Sequence, residues 1–252
     1  MKDEVINLQY TTIKDPLPDF IYEGLKEFSK NANSYKPQPK ELVERLAKKH
    51  NLPSEMIYLT AGADEAIQMF AHAYGQNAVC FTPTYVVYSD IEEFGGKLTR
   101  TFSIKNDEYQ VDTATKDATL IYLANPNNPC GFTPKEKVLE LFKNNSQAKI
   151  VVDEVYGEFA PELSVVGEIM NNPNPVVLRS FSKTFGMAGN RIGYIIANPE
   201  IISVVKNKTQ WANISYLSVG AAMAALDHED YFKKVIEGVI KRREEFFRFL
   251  KN

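Results

Sequence analysis

The sequence predicts an α/β domain built on a mostly parallel sheet, and three observations carry that reading. Short β-rich runs alternate with longer helical patterns along the chain. Several of those runs are apolar throughout rather than alternating, as in strands covered on both faces. The length of 252 residues, 44% of them hydrophobic and 12% aromatic, suits one large domain with a substantial core.

The first 35 residues, with Pro16 and Pro18, read as an extended arm followed by a short helix near 19–30. Seven strand candidates follow: MIYLT (56–60), AVCFT (78–82), LTRTFSI (98–104), TLIYLAN (119–125), KIVVDEV (149–155), VVLRSF (176–181) and GYIIA (193–197). Helical patterns occupy 62–75 and 133–145, the second with Thr133 as N-cap and Pro134 at the first helical position. Residues 228–252 read as one long amphipathic helix whose apolar face carries Val235, Ile236, Val239, Ile240, Phe246, Phe247 and Leu250. That face would be covered by a second copy or another partner chain. No internal repeat or low-complexity segment is present.

Composition narrows the function. A formal net charge of -3 with 24% charged residues excludes a polybasic nucleic-acid binder. No run approaches the roughly 18 apolar residues that a membrane helix needs. The opening MKDEVINLQY carries acids and lacks the apolar stretch of a signal peptide. Cys80 and Cys130 have no metal-ligand spacing, so a reduced, cytoplasmic setting without a disulfide framework or metal site is expected.

The polar residues of interest sit just past the strand candidates, where α/β sheets bind ligands. Asp153 ends an apolar strand, and an unpaired carboxylate there costs several kcal/mol, so it should face a cation unless it serves a cap or turn. Glu154 and Glu158 are expected to be solvated. The turn ANPNNPCG (124–131) places Asn128 at the same sheet edge. LTAGADEAI (59–67) is a strand, a glycine turn and a helix start, whose free N–H groups suit a phosphate. It is neither a Walker motif nor a dinucleotide fingerprint, and Asp64 could simply cap the helix. Tyr85 in FTPTYVVYSD (81–90) is either a core residue or a stacking surface. In RSFSKTFGMAGNRIG (179–193), Lys183 would supply the cation for Asp153, and its amine can form a Schiff base. Around it, Ser180, Ser182 and Arg191 offer hydroxyl donors and a positive fork suited to a phosphate dianion.

In order, SYKPQPKEL, TAGADEAI, PTYVVY, ANPNNPCG, VVDEVYGEF and RSFSKTFGMAGNRIG resemble the fold-type I pyridoxal-phosphate enzymes. Among these they are most similar to class I/II aminotransferases of the histidinol-phosphate aminotransferase type, from about Tyr35 to Gly193. The resemblance implies a three-layer α/β/α large domain with a seven-stranded sheet over 36–228, preceded by an arm (1–35) and followed by an interdomain-type helix (229–252). It implies that Lys183 holds pyridoxal 5'-phosphate as a Schiff base and later moves the substrate's α proton. Asp153 matches the carboxylate that pairs with the protonated ring nitrogen, and Asn128 and Tyr156 match the pair at the ring's phenolate oxygen. Tyr85 resembles the aromatic stacked on the ring. Ala63, Asp64, Ser180, Ser182 and Arg191 resemble the phosphate cup. Tyr35 resembles a tyrosine that reaches the phosphate of a neighbouring subunit, so a homodimer is implied, with a small-molecule amino donor and a 2-oxo acid acceptor as substrates.

The sequence departs from the pattern in three places. Cys130 stands where the turn usually has Thr or Ser. NLQYTTIKDPLPDF lacks the Asn-Glu-Asn-Pro-Tyr-Gly type of stretch that often lines the pocket in this branch. Relatives continue for about 100 further residues into a small domain that supplies a carboxylate-clamping arginine. No residue here matches that arginine, and Arg242, Arg243 and Arg248 on the last helix are expected to be solvated. The alternatives are therefore a decarboxylase on the same scaffold, or a cofactor-binding module without turnover.

Overall fold

All seven strand candidates enter one sheet in the computed structural model, which describes residues 10–13, 15–106 and 108–251. The strands are β1 (Ile57–Thr60), β2 (Ala78–Thr82) and β3 (Leu98–Phe102), then a small hairpin of β4 (Ile104–Lys105) and β5 (Glu108–Tyr109), then β6 (Leu120–Ala124), β7 (Lys149–Asp153), β8 (Pro175–Ser180) and β9 (Gly193–Ile196). The third candidate was expected to run through Ile104, but it stops at Phe102. Ser103 donates its N–H to Thr82 and accepts from Gln110, and Ile104 opens the hairpin.

The sheet order is β1–β9–β8–β7–β6–β2–β3. Strands β3, β2, β6, β7 and β8 run parallel, whereas β9 is antiparallel to both β8 and β1. Alternate residues of each central strand enter opposite cores, which is why these strands read as continuous apolar runs. Ile150 and Val152 pack with Leu42, Leu46, Val138 and Val219 on one side, and Val151 packs with Ile67, Phe70 and Ile201 on the other. The architecture is three-layered, α/β/α.

The helices are α1 (Asp19–Ser29), α2 (Lys40–His50), α3 (Ala63–Tyr74), α4 (Lys135–Asn144), α5 (Pro199–Val205), α6 (Tyr216–Asp227) and α7 (Glu229–Lys251). Helix α2 buries Leu42, Leu46 and Ala47 on one stripe and stops at Asn51, whose left-handed φ of 56° closes the helix. Helix α4 starts one residue later than expected, with Pro134 at the cap position. Thr133 does not cap it, because the Asn125 amide clasps Thr133 through both its N–H (2.9 Å) and its carbonyl (3.0 Å). Along α7, Phe232 is buried, and Val235, Ile236, Val239 and Ile240 are half-buried. Phe246, Phe247 and Leu250 remain exposed.

Helices α1 and α6 touch backbone to backbone. A Cβ on Gly220 would lie 2.4 Å from the Gly24 carbonyl oxygen, and one on Gly24 would lie 2.6 Å from that of Gly220. Alanine gains up to about 1 kcal/mol in helix propensity over glycine. Overpacking of backbone against backbone costs more, about 2–3 kcal/mol. Gly220→Ala should therefore lower Tm by several degrees in calorimetry, and a variant melting at or above the parent temperature would refute this account of the contact.

Candidate functional site

Strands β6, β7 and β8 are parallel and in register, so Ala124, Asp153 and Ser180 end at one edge of the sheet. The loops that follow bring Asn128, Tyr156, Ser182, Lys183 and Arg191 over that edge. The start of α3 contributes Ala63 and Asp64, and the loop after β2 contributes Tyr85. All of these line one cavity. Tyr35 does not: it is 80% exposed and packs beside Trp211, with ring centroids 5.6 Å apart.

Part of the cavity lining suits an anion. Gly62 turns the chain with φ 84° into α3, and a Cβ there would lie 2.5 Å from Arg191 Nη2, so only glycine lets the arginine close over the turn. The first N–H groups of α3 have no intrahelical acceptor. Asp64 is not the N-cap, a position held by Gly62. Its carboxylate instead accepts from Tyr85 Oη at 2.9 Å and from Arg191 Nη2 at 3.0 Å, tying two cavity walls together. Burial and the Asp64 hydrogen bond raise the Tyr85 phenol, which stays a donor. Ser180 and Ser182 face each other across a 2.9 Å hydroxyl hydrogen bond.

The same cavity holds a buried carboxylate with no cation partner among the described residues. Asp153 is 6% exposed, and it accepts from Tyr88 Oη at 2.9 Å and from the Val155 N–H at 3.1 Å. Burial pushes its pKa up to about 6, although both hydrogen bonds pull the other way. The expected pairing with Lys183 is not made among the described residues. Lys183 Nζ donates to Thr11 Oγ1 at 2.8 Å and to the Thr11 carbonyl at 3.1 Å, and it lies 5.7 Å from the centre of the Tyr156 ring. Thr11 Oγ1 is also 2.8 Å from Tyr156 Oη.

Glu154 and Glu158 are not solvated either. Arg179, buried in β8, donates to Glu154 Oε2 at 2.6 Å and to Glu158 Oε1 at 3.0 Å. Burial penalises the arginine cation, but the two carboxylates outweigh that penalty and keep it protonated. Sequence reading thus missed Thr11, Tyr88 and this cluster. Tyr88 had a signal: it stands three residues after Tyr85, and the 3₁₀ turn over Val86–Glu92 points it inward. Thr11 had none, because its partners lie far along the chain.

The Asp153 environment has a pH consequence. Its folded pKa of about 6 exceeds the model-peptide value of 3.8, so folding favours the protonated form. The stability this contributes is present in full below pH 3.8 and is lost as pH rises through 6, about 3 kcal/mol in the cofactor-free protein. His50, lowered to about 3 by burial and by Arg179 and Lys49, slopes the opposite way. The comparison with Asp153→Asn isolates the first effect. Denaturant melts between pH 4 and 7 should show the variant gaining on the parent as pH rises, and a constant difference would contradict the burial argument.

The profile of the family described as "Aminotransferase class I and II" matches residues 3–252. The chain belongs to the class I and II aminotransferases. A histidinol-phosphate aminotransferase of Haemophilus influenzae (strain PittGG) is 33% identical over 199 residues, covering 75% of this chain and 55% of that relative. The chain spans a little over half the length of the first curated relatives it matches. A Sinorhizobium meliloti histidinol-phosphate aminotransferase in complex with pyridoxal-5'-phosphate superposes with TM-score 0.86 at 25% identity, over 94% of this chain and 68% of that one. An L-threonine-O-3-phosphate decarboxylase from Porphyromonas gingivalis superposes with TM-score 0.81 at 27% identity, over 91% and 71%. Family membership agrees with the mostly parallel, seven-stranded sheet. Among the described residues no helix is long and apolar enough to cross a membrane.

Proposed function

We propose that the chain binds pyridoxal 5'-phosphate covalently through Lys183 and serves an aminotransferase. The reaction moves an amino group between an amino acid or amino-alcohol phosphate and a 2-oxo acid. One observation carries this reading: a single cavity is lined both by a buried carboxylate without a cation partner among the described residues and by a helix start, hydroxyls and a guanidinium. The donor set fits the cofactor, whose basic ring nitrogen and phosphate make those two opposite demands. The likeness to a structure containing pyridoxal-5'-phosphate supports the same reading.

In this account Asp153 holds the ring nitrogen protonated, and Tyr88 and the Val155 N–H fix the carboxylate. The phosphate is held by the N–H groups of Ala63 and Asp64, by Ser180 and Ser182, and by Arg191. Asn128 and Tyr156 donate to the phenolate oxygen, and Tyr85 covers the ring face. When bound, the cofactor supplies the electron sink that stabilises negative charge at the substrate's α carbon. Lys183 Nζ anchors the cofactor and, when free, carries the substrate's α proton. The exposed Tyr35 reaches the phosphate of a second copy in a homodimer, and the protein works in the cytoplasm.

Mixing the purified protein with pyridoxal 5'-phosphate should give an adduct that borohydride fixes on the peptide containing Lys183. An adduct on other lysines alone would end the proposal. The likeness to a decarboxylase supports a second reading on the same residues. Keto acid among the products supports transamination, and carbon dioxide supports decarboxylation. An intact adduct with no spectral change on adding amino donors would leave a binding module without turnover.

A further inference from the structure

Arg179 lies one residue before Ser180 in β8, with its side chain 8% exposed. Besides Glu154 and Glu158, its guanidinium donates to Ser164 Oγ at 3.0 Å. The second oxygen of Glu158 accepts from Thr184 Oγ1 at 3.0 Å. A Cβ at position 157 would lie 2.7 Å from Arg179 Nη1, so a larger residue there would push the guanidinium out of its present place. Two members of this cluster are chain neighbours of site residues, since Glu154 follows Asp153 and Thr184 follows Lys183, and Glu158 stands two residues after Tyr156. One buried cation therefore joins the loop after β7 to the loop after β8.

We propose that the Arg179–Glu158–Thr184 chain is a positioning device that fixes the Lys183 amine relative to Tyr156. Stability alone does not account for it. A buried ion cluster contributes little net stability compared with apolar packing of the same volume, whereas its directional bonds define one arrangement of the groups they join. The two loops are joined by the polar bonds of this cluster, while Lys183 and Tyr156 themselves share Thr11 in the cavity wall. Without the Thr184 bond, the backbone next to Lys183 loses its tie to Glu158, and the exposed Thr11 is left to link the Lys183 and Tyr156 side chains. Arg179 and Thr184 act through their neighbours and touch neither substrate nor cofactor.

The proposal concerns the residues named in the functional reading, but its test does not depend on that reading. Arg179→Met would leave two buried carboxylates unpaired and could unfold the chain, so the decisive variant is Thr184→Val, with Thr184→Ser as the conservative rescue. The first readout needs no cofactor: the rate at which an acylating reagent labels Lys183 relative to the exposed Lys97, followed by peptide mass spectrometry. Thr184→Val should label Lys183 about fivefold faster relative to Lys97, the scale of one lost hydrogen bond, and Thr184→Ser should match the parent. The second readout uses pyridoxal 5'-phosphate itself. The midpoint of the pH titration of its Lys183 adduct band should move by about half a pH unit in Thr184→Val and return in Thr184→Ser. Unchanged labelling in Thr184→Val would overturn the proposal, as would serine failing to restore it. If the parent forms no adduct on Lys183, the functional reading falls and the labelling result still decides the positioning role.

Discussion

Lys183→Ala is expected to abolish the borohydride-stable adduct and to lower any turnover by about 10⁴-fold or more. Among the described residues Lys183 is the only lysine that lines the cavity, so none of the other described lysines stands ready to replace it as anchor or proton carrier. The rest of the cavity stays intact, because among the described residues the Lys183 amine bonds only to the exposed Thr11. The variant should therefore still take up pyridoxal 5'-phosphate, more weakly, and give the spectrum of the free aldehyde. Lys183→Arg keeps the charge but not the nucleophile and should behave like alanine. If Lys183→Ala retains the parent's absorbance band and its borohydride product, the covalent assignment is wrong.

Asp153→Asn is expected to split stability from chemistry. An asparagine fits the same space and can accept from Tyr88 Oη, but it cannot neutralise a protonated ring nitrogen. The adduct on Lys183 should still form, while spectral conversion on adding an amino donor slows by roughly 10²–10³-fold, the scale of losing one oriented electrostatic partner. At neutral pH the cofactor-free variant should also be more stable than the parent, because it no longer buries an unpaired charge. Stopped-flow spectra and melts on the same preparations check both halves. Conversion at the parent rate would remove Asp153 from the proposed role. A gain in stability with a loss of rate is the usual mark of a functional group kept at a structural cost.

The sheet and the cavity wall were legible in the sequence because each signal was local. A fully buried strand is an unbroken apolar run, and the polar residue that ends it, such as Asp153 or Ser180, sits at the carboxyl edge by construction. What was not legible depended on partners far along the chain. Glu154 and Glu158 look like ordinary surface acids until β8 delivers Arg179 beside them. Thr11 has nothing near it in sequence to mark it, since Lys183 and Tyr156 come from the other end of the domain. Helix α6 escaped notice for a different reason: YLSVGAAMAALD is apolar on nearly every side, so it lacks the periodic contrast that betrays an amphipathic helix. The Thr133 cap failed because a tertiary clasp by Asn125 competed with the local preference.

The place of β1 in the sheet bears on how the protein is made. Its neighbour in the sheet is β9, and Thr60 pairs with Gly193. During vectorial synthesis β1 and the Gly62 turn leave the ribosome early, yet their docking partner β9 follows only after all the other described strands. Until then the parallel block can assemble only as far as β8, with that strand as an open edge. Closing so long a loop adds modest entropy but slows folding. The same step brings Arg191 over Gly62. A nascent chain would thus hold the Asp153 part of its cavity before it holds the Arg191 part, and these walls come together only when β9 arrives.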